Sequence, residues 1–238
     1  AFYSPERKVY WTFVWGGPRD VRIIHGPFPL SDLTRADVER AIRKLITPEG
    51  NYGFYDGQFK EIIEMGSAAV PHLLELFVDE SKPEGVRVLS IEALADLGDK
   101  SVVPRLREFL AVQDYQPFHS SIIFTLAKLG DMEPANKLIE SFQNGLKQYA
   151  GDARVQAFYY SRLAHAYARL ENQEKALENY RKAIEADPEN AYMHYYNMAC
   201  ALAVMNRVEE ALDALEKAVE EGYEDYDWMK MDGDLKNL

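Results

Sequence analysis

From residue 157 to 190 the chain reads AFYYSRLAHAYARLENQEKALENYRKAIEADPEN, with apolar positions recurring at three- and four-residue steps. Tyr160, Leu163, Ala164 and Tyr167 form one stripe, and Ala176, Leu177, Tyr180, Ala183 and Ile184 form a second. Each stripe predicts a helix with a single apolar face. Glu171-Asn172-Gln173 is the polar turn between them, and Asp187-Pro188 ends the second helix because proline cannot continue it. Ala164 and Ala176 put small side chains where the two helices of a hairpin must come close. The stripe returns at Tyr195, Met198, Ala199, Leu202, Ala211, Leu215 and Ala218, but Ala176 to Ala211 is 35 residues rather than 34. The extra residue falls at 190–192, and Gly222-Tyr223 stands where a closing proline is expected. Residues 223–238, with Tyr226, Trp228, Met229, Met231 and Leu235, predict a short helix capping the last apolar face.

A different period runs through residues 58–145. Gly66, Gly98 and Gly130 are spaced by 32 and 32, and Pro71, Pro104 and Pro134 follow them by five, six and four residues. Each glycine predicts the end of one helix, and each proline fits the first turn of the next, where no amide partner is lost. A helix over 132–150 is expected to join the two series. Further upstream, Thr34 with Asp37 predicts a capped helix running through Ile46, with Val38, Ala41, Ile42 and Leu45 on one face. Residues 50–57 are too rich in glycine for a helix and dense in aromatics, which makes them a binding loop or a plug folded back on the helices. Before them, residues 8–15 and 21–24 are aromatic and β-branched and flank Gly16-Gly17-Pro18-Arg19-Asp20, which predicts a small N-terminal β-hairpin. A lone hairpin is marginal in water, so its aromatic face is expected to pack on the helices. The alternative is an exposed edge at Trp11, Phe13 and Trp15 that meets another chain.

The unit at 157–190 resembles a tetratricopeptide repeat, in which aromatic, leucine, small and tyrosine positions are followed by alanine, aromatic, alanine and proline. Tyr160 stands for the usual tryptophan and Ala164 for the usual glycine. The glycine–proline series resembles HEAT-like repeats, including the short bilin-lyase type. Together these resemblances imply a mostly all-α fold, an α-α superhelix of HEAT-like and tetratricopeptide repeats fronted by the small β-hairpin. The expected domains are 1–57 (hairpin, helix and aromatic loop), 58–150 (HEAT-like), 151–222 (two tetratricopeptide units) and 223–238 (cap). Tetratricopeptide stacks bind extended peptides in a groove lined by their first helices. Carried over, that groove is Phe158, Ser161, Arg162, His165, Ala168 and Arg169, then Met193, Tyr196, Asn197 and Cys200. Asn197 matches one asparagine of the clamp that grips chaperone C-termini, but Ser161 and His165 replace its lysine and second asparagine, which argues against that clamp.

Composition narrows the function. The chain has 238 residues, 47% of them hydrophobic, enough for a packed core, and no run approaches the roughly 20 apolar residues of a membrane helix. The net charge is −12, and from Glu171 onward 17 acidic residues face 7 basic ones. Such a balance disfavours nucleic acid and anionic lipid as partners. It fits solvated helix faces or a basic docking partner. A chain starting at Ala1 without a signal-like segment reads as a processed or trimmed protein, leaning to an exported one.

Catalytic spacings do not emerge. His25, His72, His119, His165 and His194 show no metal spacing, and there is no P-loop, dinucleotide fingerprint or nucleophile elbow. Glu209-Glu210 and Glu220-Glu221 fall on polar helix faces, and the single cysteine, Cys200, lies in an apolar run that favours burial over reactivity. The expectation is a protein-binding scaffold without catalytic residues, metal or cofactor, an assembly or bridging subunit of a larger complex, either self-associating or tying together copies of an enzyme complex. The alternatives are a peptide adaptor working through the groove, or a bilin-lyase-like or cofactor-chaperone role of the HEAT-like segment.

Overall fold

The computed structural model describes residues 2–4, 9–15, 21–25, 33–46, 50, 52, 58–236 and 238, the first three segments as backbone only. There β1 (Phe2–Ser4), β2 (Val9–Trp15) and β3 (Val21–His25) run antiparallel in that order, with Trp11 opposite both Phe2 and His25. The packing expected of the aromatic face, and the docking edge expected at Trp11, Phe13 and Trp15, lie outside the described side chains. The stretch 50–57 lies outside them too, apart from Gly50 and Tyr52. The fold rests on the helices that follow, a helical repeat architecture. The chain divides into two compact units, Ala1–Lys44 with Phe59–Val102, and Leu45–Gln58 with Val103–Leu238.

In the first unit, α1 (Arg35–Arg43) opens on a capping box: Thr34 Oγ1 accepts from the Asp37 amide, and the Asp37 carboxylate accepts from the Thr34 amide at 3.1 Å. The helix stops at Arg43, short of the expected Ile46. Its apolar face, Val38, Ala41 and Ile42, is buried. Next come α2 (Lys60–Met65), α3 (Val70–Val78) and α4 (Glu84–Leu97), and the last of these is the centre of the unit. Every residue of α4 from Val88 to Leu94 is buried, and Ser90 donates its hydroxyl to Val86 O at 2.7 Å rather than leaving it unpaired. Arg87 Nε caps the end of α3 through Phe77 O at 2.8 Å. Lys82 reaches Glu39 of α1 at 2.8 Å, fixing the α3–α4 turn against α1.

The second unit runs α5 (Val103–Leu110), α6 (His119–Lys128), α7 (Glu133–Gln148), α8 (Ala153–Arg169), α9 (Gln173–Ala186), α10 (Ala191–Val204), α11 (Val208–Glu220) and α12 (Tyr226–Met231). From α5 to α11 each helix packs on the next. The junction expected over 132–150 is α7, where Gly145 leaves room for the ring of Tyr159; a Cβ there would lie 2.3 Å from Tyr159 Cζ. In α8 and α9, Ala164, Ala176 and Ala183 are fully buried, and Tyr180 is 2% exposed, so the tyrosine fills the space the alanines leave.

Four helix ends follow one plan. At the close of α6, Asp131 N bonds Leu126 O at 2.8 Å and Gly130 N bonds Ala127 O at 2.9 Å, the paired Schellman closure around a left-handed residue. The same pair of bonds closes α8, α10 and α11, with Glu171, Asn206 and Gly222 in the left-handed position. The turn between α8 and α9 is therefore built by backbone geometry, with Asn172 then capping α9 through the Lys175 amide.

Candidate functional site

The groove expected along α8 and α10 resolves into two halves of different chemistry. On α8, Phe158 is 50% exposed, with the Arg162 guanidinium 5.0 Å above its ring and Tyr159 edge-on at 5.4 Å. Two turns further on, His165 meets the ring of Phe124 on α6 edge-on at 6.3 Å, and the Arg169 guanidinium lies over the same ring, 5.3 Å from its centre. Of the two ring–guanidinium pairs, the open one is Phe158–Arg162, since Phe124 is 3% exposed and Arg169 half-buried. The rings hold the cations by their quadrupoles, and Arg162 is the exposed one of the two arginines. Crowding by the surrounding protein, then Arg169 and Arg162, push the pKa of His165 below its ordinary value. The ring keeps a solvent-facing edge, so the crowding is partial, and the two guanidinium charges add to it in the same direction.

At the start of α8, Tyr149, Arg154, Val155, Phe158 and Tyr159 line a shallow apolar depression, with Tyr149 and Tyr159 stacked at 6.1 Å. On α10, Met193 is 48% exposed, and Asn197 is half-buried. Ser161 and His194 link the two helices, Ser161 Oγ to His194 Nδ1 at 3.3 Å. His194 is buried and its Nε2 has no hydrogen-bond partner among the described residues, so desolvation lowers its pKa, opposed by the charge of Asp187.

The α10 half is covered. Tyr196 is 5% exposed, stacks on Tyr223 at 4.3 Å with nearly parallel rings, and donates its hydroxyl to Asp232 Oδ2 at 2.6 Å. Cys200, one turn further on, approaches the same oxygen at 3.5 Å. Burial and the neighbouring Asp232 push the Cys200 thiol pKa up, so the sulfur stays a neutral donor and a poor nucleophile. Leu235 is buried beside these residues, while Tyr226 and Trp228 of α12 are 48% and 42% exposed. The cover is thus Tyr223, Met229 and Leu235 rather than the larger rings of α12.

Of the expected groove residues, Phe158, Arg162, His165, Arg169 and Met193 lie on the open surface or at its edge, while Ser161 and Asn197 are half-buried and Tyr196 is enclosed. Sequence reasoning misses Phe124, Tyr159, His194 and Asp232. Phe124 and Asp232 stand outside the repeat that defines the groove, and nothing in the spacing points to them. Among the described residues no group of three or more His, Cys, Asp or Glu is placed to hold a metal ion. No described helix is long and apolar enough to cross a membrane.

Comparison with known proteins agrees with this architecture. Family models for the tetratricopeptide repeat match residues 157–190 and 195–221, and the model of the PBS lyase HEAT-like repeat matches residues 86–111. The chain carries two tetratricopeptide repeats preceded by a HEAT-like repeat. It is similar to a chloroplastic protein of Arabidopsis thaliana, 43% identical over 51 residues. That match covers 21% of this chain and 15% of the relative's length. No solved structure matches the chain.

Proposed function

We propose that the chain is a non-catalytic interaction scaffold, an assembly or bridging subunit that docks another protein along the α8 strip. The observation that supports this is the pairing of Phe158 with Arg162 and of Phe124 with Arg169, beside the exposed Met193. Aromatic and arginine side chains held rigid at a surface are the usual anchors of protein interfaces. The exposed Phe158–Arg162 pair, with Arg169 further along α8 over the buried Phe124 of α6, suits an extended segment carrying carboxylates and apolar side chains. Tetratricopeptide repeats imply protein partners in general; docking through this strip, and assembly of a complex by it, are the proposal. The layout assumed is 1–57, 58–150, 151–222 and 223–238, with a small β-hairpin in the first part and a second docking edge at Trp11, Phe13 and Trp15.

Affinity capture from the source extract tests this, paired with the chain's mass in solution. The expected result is one or more co-purifying proteins that are lost with Phe158→Glu combined with Arg162→Glu. A strictly monomeric mass with no partner recovered contradicts it. A peptide-adaptor role uses the same strip and differs in the partner being a short linear segment. The HEAT-like match keeps a bilin-lyase-like role as a second reading, and a visible absorption band on mixing the chain with bilin is its signature.

A further inference from the structure

We propose that Asp232–Leu235 is a tethered ligand of the α10 half of the groove, and that the site beneath it takes a partner segment bearing a carboxylate followed three residues later by leucine. This rests on the groove being a docking face, and it adds the chemistry of what docks and the means by which the site is closed.

Tyr196 and Cys200 stand four residues apart on α10, so they share a face, and both converge on a single oxygen, Asp232 Oδ2. The other oxygen, Oδ1, accepts from the Asp234 amide at 2.9 Å and so starts the tight turn Gly233–Leu235. That turn brings Leu235 back toward α10, where it is 9% exposed within the cluster of Tyr196, Cys200 and Leu202. Four residues thus form a compact unit in which Asp232 supplies the hydrogen-bonded carboxylate and Leu235 the buried side chain, with Asp234 adding a second negative charge near Cys200.

A cover that served only to hide apolar surface would need no anion between a phenol and a thiol, since burying a carboxylate is costly unless donors meet it. Two donors aimed at one oxygen are a recognition arrangement. No residue of α12 is buried, and its two large rings face solvent. Closure rests on the carboxylate contact and on Leu235, with Tyr223 and Met229 packed on the same cluster. A separate segment with a carboxylate and a leucine competes for the contacts that Asp232 and Leu235 make. The tether wins by its high local concentration until a partner is abundant or the tail is disabled. A site closed most of the time shows an affinity reduced by the fraction that is open.

The test is fluorescence anisotropy with a labelled, C-terminally amidated peptide of residues 226–236, titrated with the intact chain and with the full-length Asp232→Asn, Leu235→Ala chain. The account expects the substituted chain to bind at least about tenfold more tightly than the intact one. It also expects peptides carrying Asp232→Asn or Leu235→Ala to lose most of that binding, and Tyr196→Phe in the substituted chain to weaken it. Equal affinity for intact and substituted chains overturns the proposal, as does no binding to a substituted chain whose circular dichroism matches the intact one. A dimer of the intact chain that dissociates on Asp232→Asn also overturns it, because the segment would then belong to a second copy. Failure of the peptide titration leaves capture of a protein through Phe158 and Arg162 standing, so the two claims fall separately.

Discussion

Glu171 has a φ of 59° at the Schellman closure of α8, a conformation in which a side chain crowds its own backbone. Glycine has no such penalty, and the ion pair of Glu171 with Lys128, at 3.8 Å, is exposed and worth little. Glu171→Gly is therefore expected to raise stability by about 0.5–1 kcal/mol, read as a higher Tm with unchanged helical content. A lower Tm would mean that the side chain does more than the backbone argument allows. His194 carries a prediction of opposite kind. Its folded pKa lies below the ordinary 6.5 because burial disfavours the charged ring, so the unfolded chain takes up a proton that the folded one refuses. The stability it contributes is full above pH 6.5 and is lost as pH falls toward the folded value. His165, lowered to about 4, acts in the same direction. Denaturant midpoints measured from pH 7.5 to 5 should fall for the intact chain and fall less for His194→Gln; equal slopes would contradict the assignment.

The elements show where local sequence is enough. The capping box at Thr34 and Asp37, the left-handed Gly66, Gly98 and Gly130, and the paired stripes of α8 and α9 are set by neighbours within a few residues, so spacing alone exposes them. The exposure of Phe158, Arg162, His165 and Met193 likewise follows from their place in a known unit. What stays hidden depends on distant chain. The enclosure of Tyr196 needs Asp232, 36 residues away, and the strip of α8 needs Phe124 of α6. The apolar pattern overstates the length of α1 because Ile46 continues it, while the backbone leaves the helix at Lys44. Gly145 tests whether α7 and α8 meet as described. Alanine is the better helix former by about 1 kcal/mol, but its Cβ would lie 2.3 Å from the Tyr159 ring, which would have to leave its stack on Tyr149. Gly145→Ala is expected to lower stability by about 1–2 kcal/mol in urea unfolding; a gain would show that the ring does not depend on that space.

At the scale of the whole molecule, charge and surface divide the labour. The net charge of −12 keeps most helix faces solvated, whereas the α8 strip concentrates guanidinium groups on aromatic faces. On the proposed function, the overall negative field disfavours nucleic acid while the guanidinium groups of α8 meet a partner's carboxylates locally. The second half of the groove, closed by Asp232 and Leu235, makes the accessible strip shorter than two repeats would otherwise present. The measurement that bears most directly on the scaffold account is site-specific photo-cross-linking from position 158, followed by mass spectrometry of the joined peptides. The account predicts joined peptides from a partner protein, rich in acidic and apolar residues and absent when Arg162 and Arg169 are replaced by glutamate. Cross-links confined to the chain itself, or unaffected by those replacements, would contradict it.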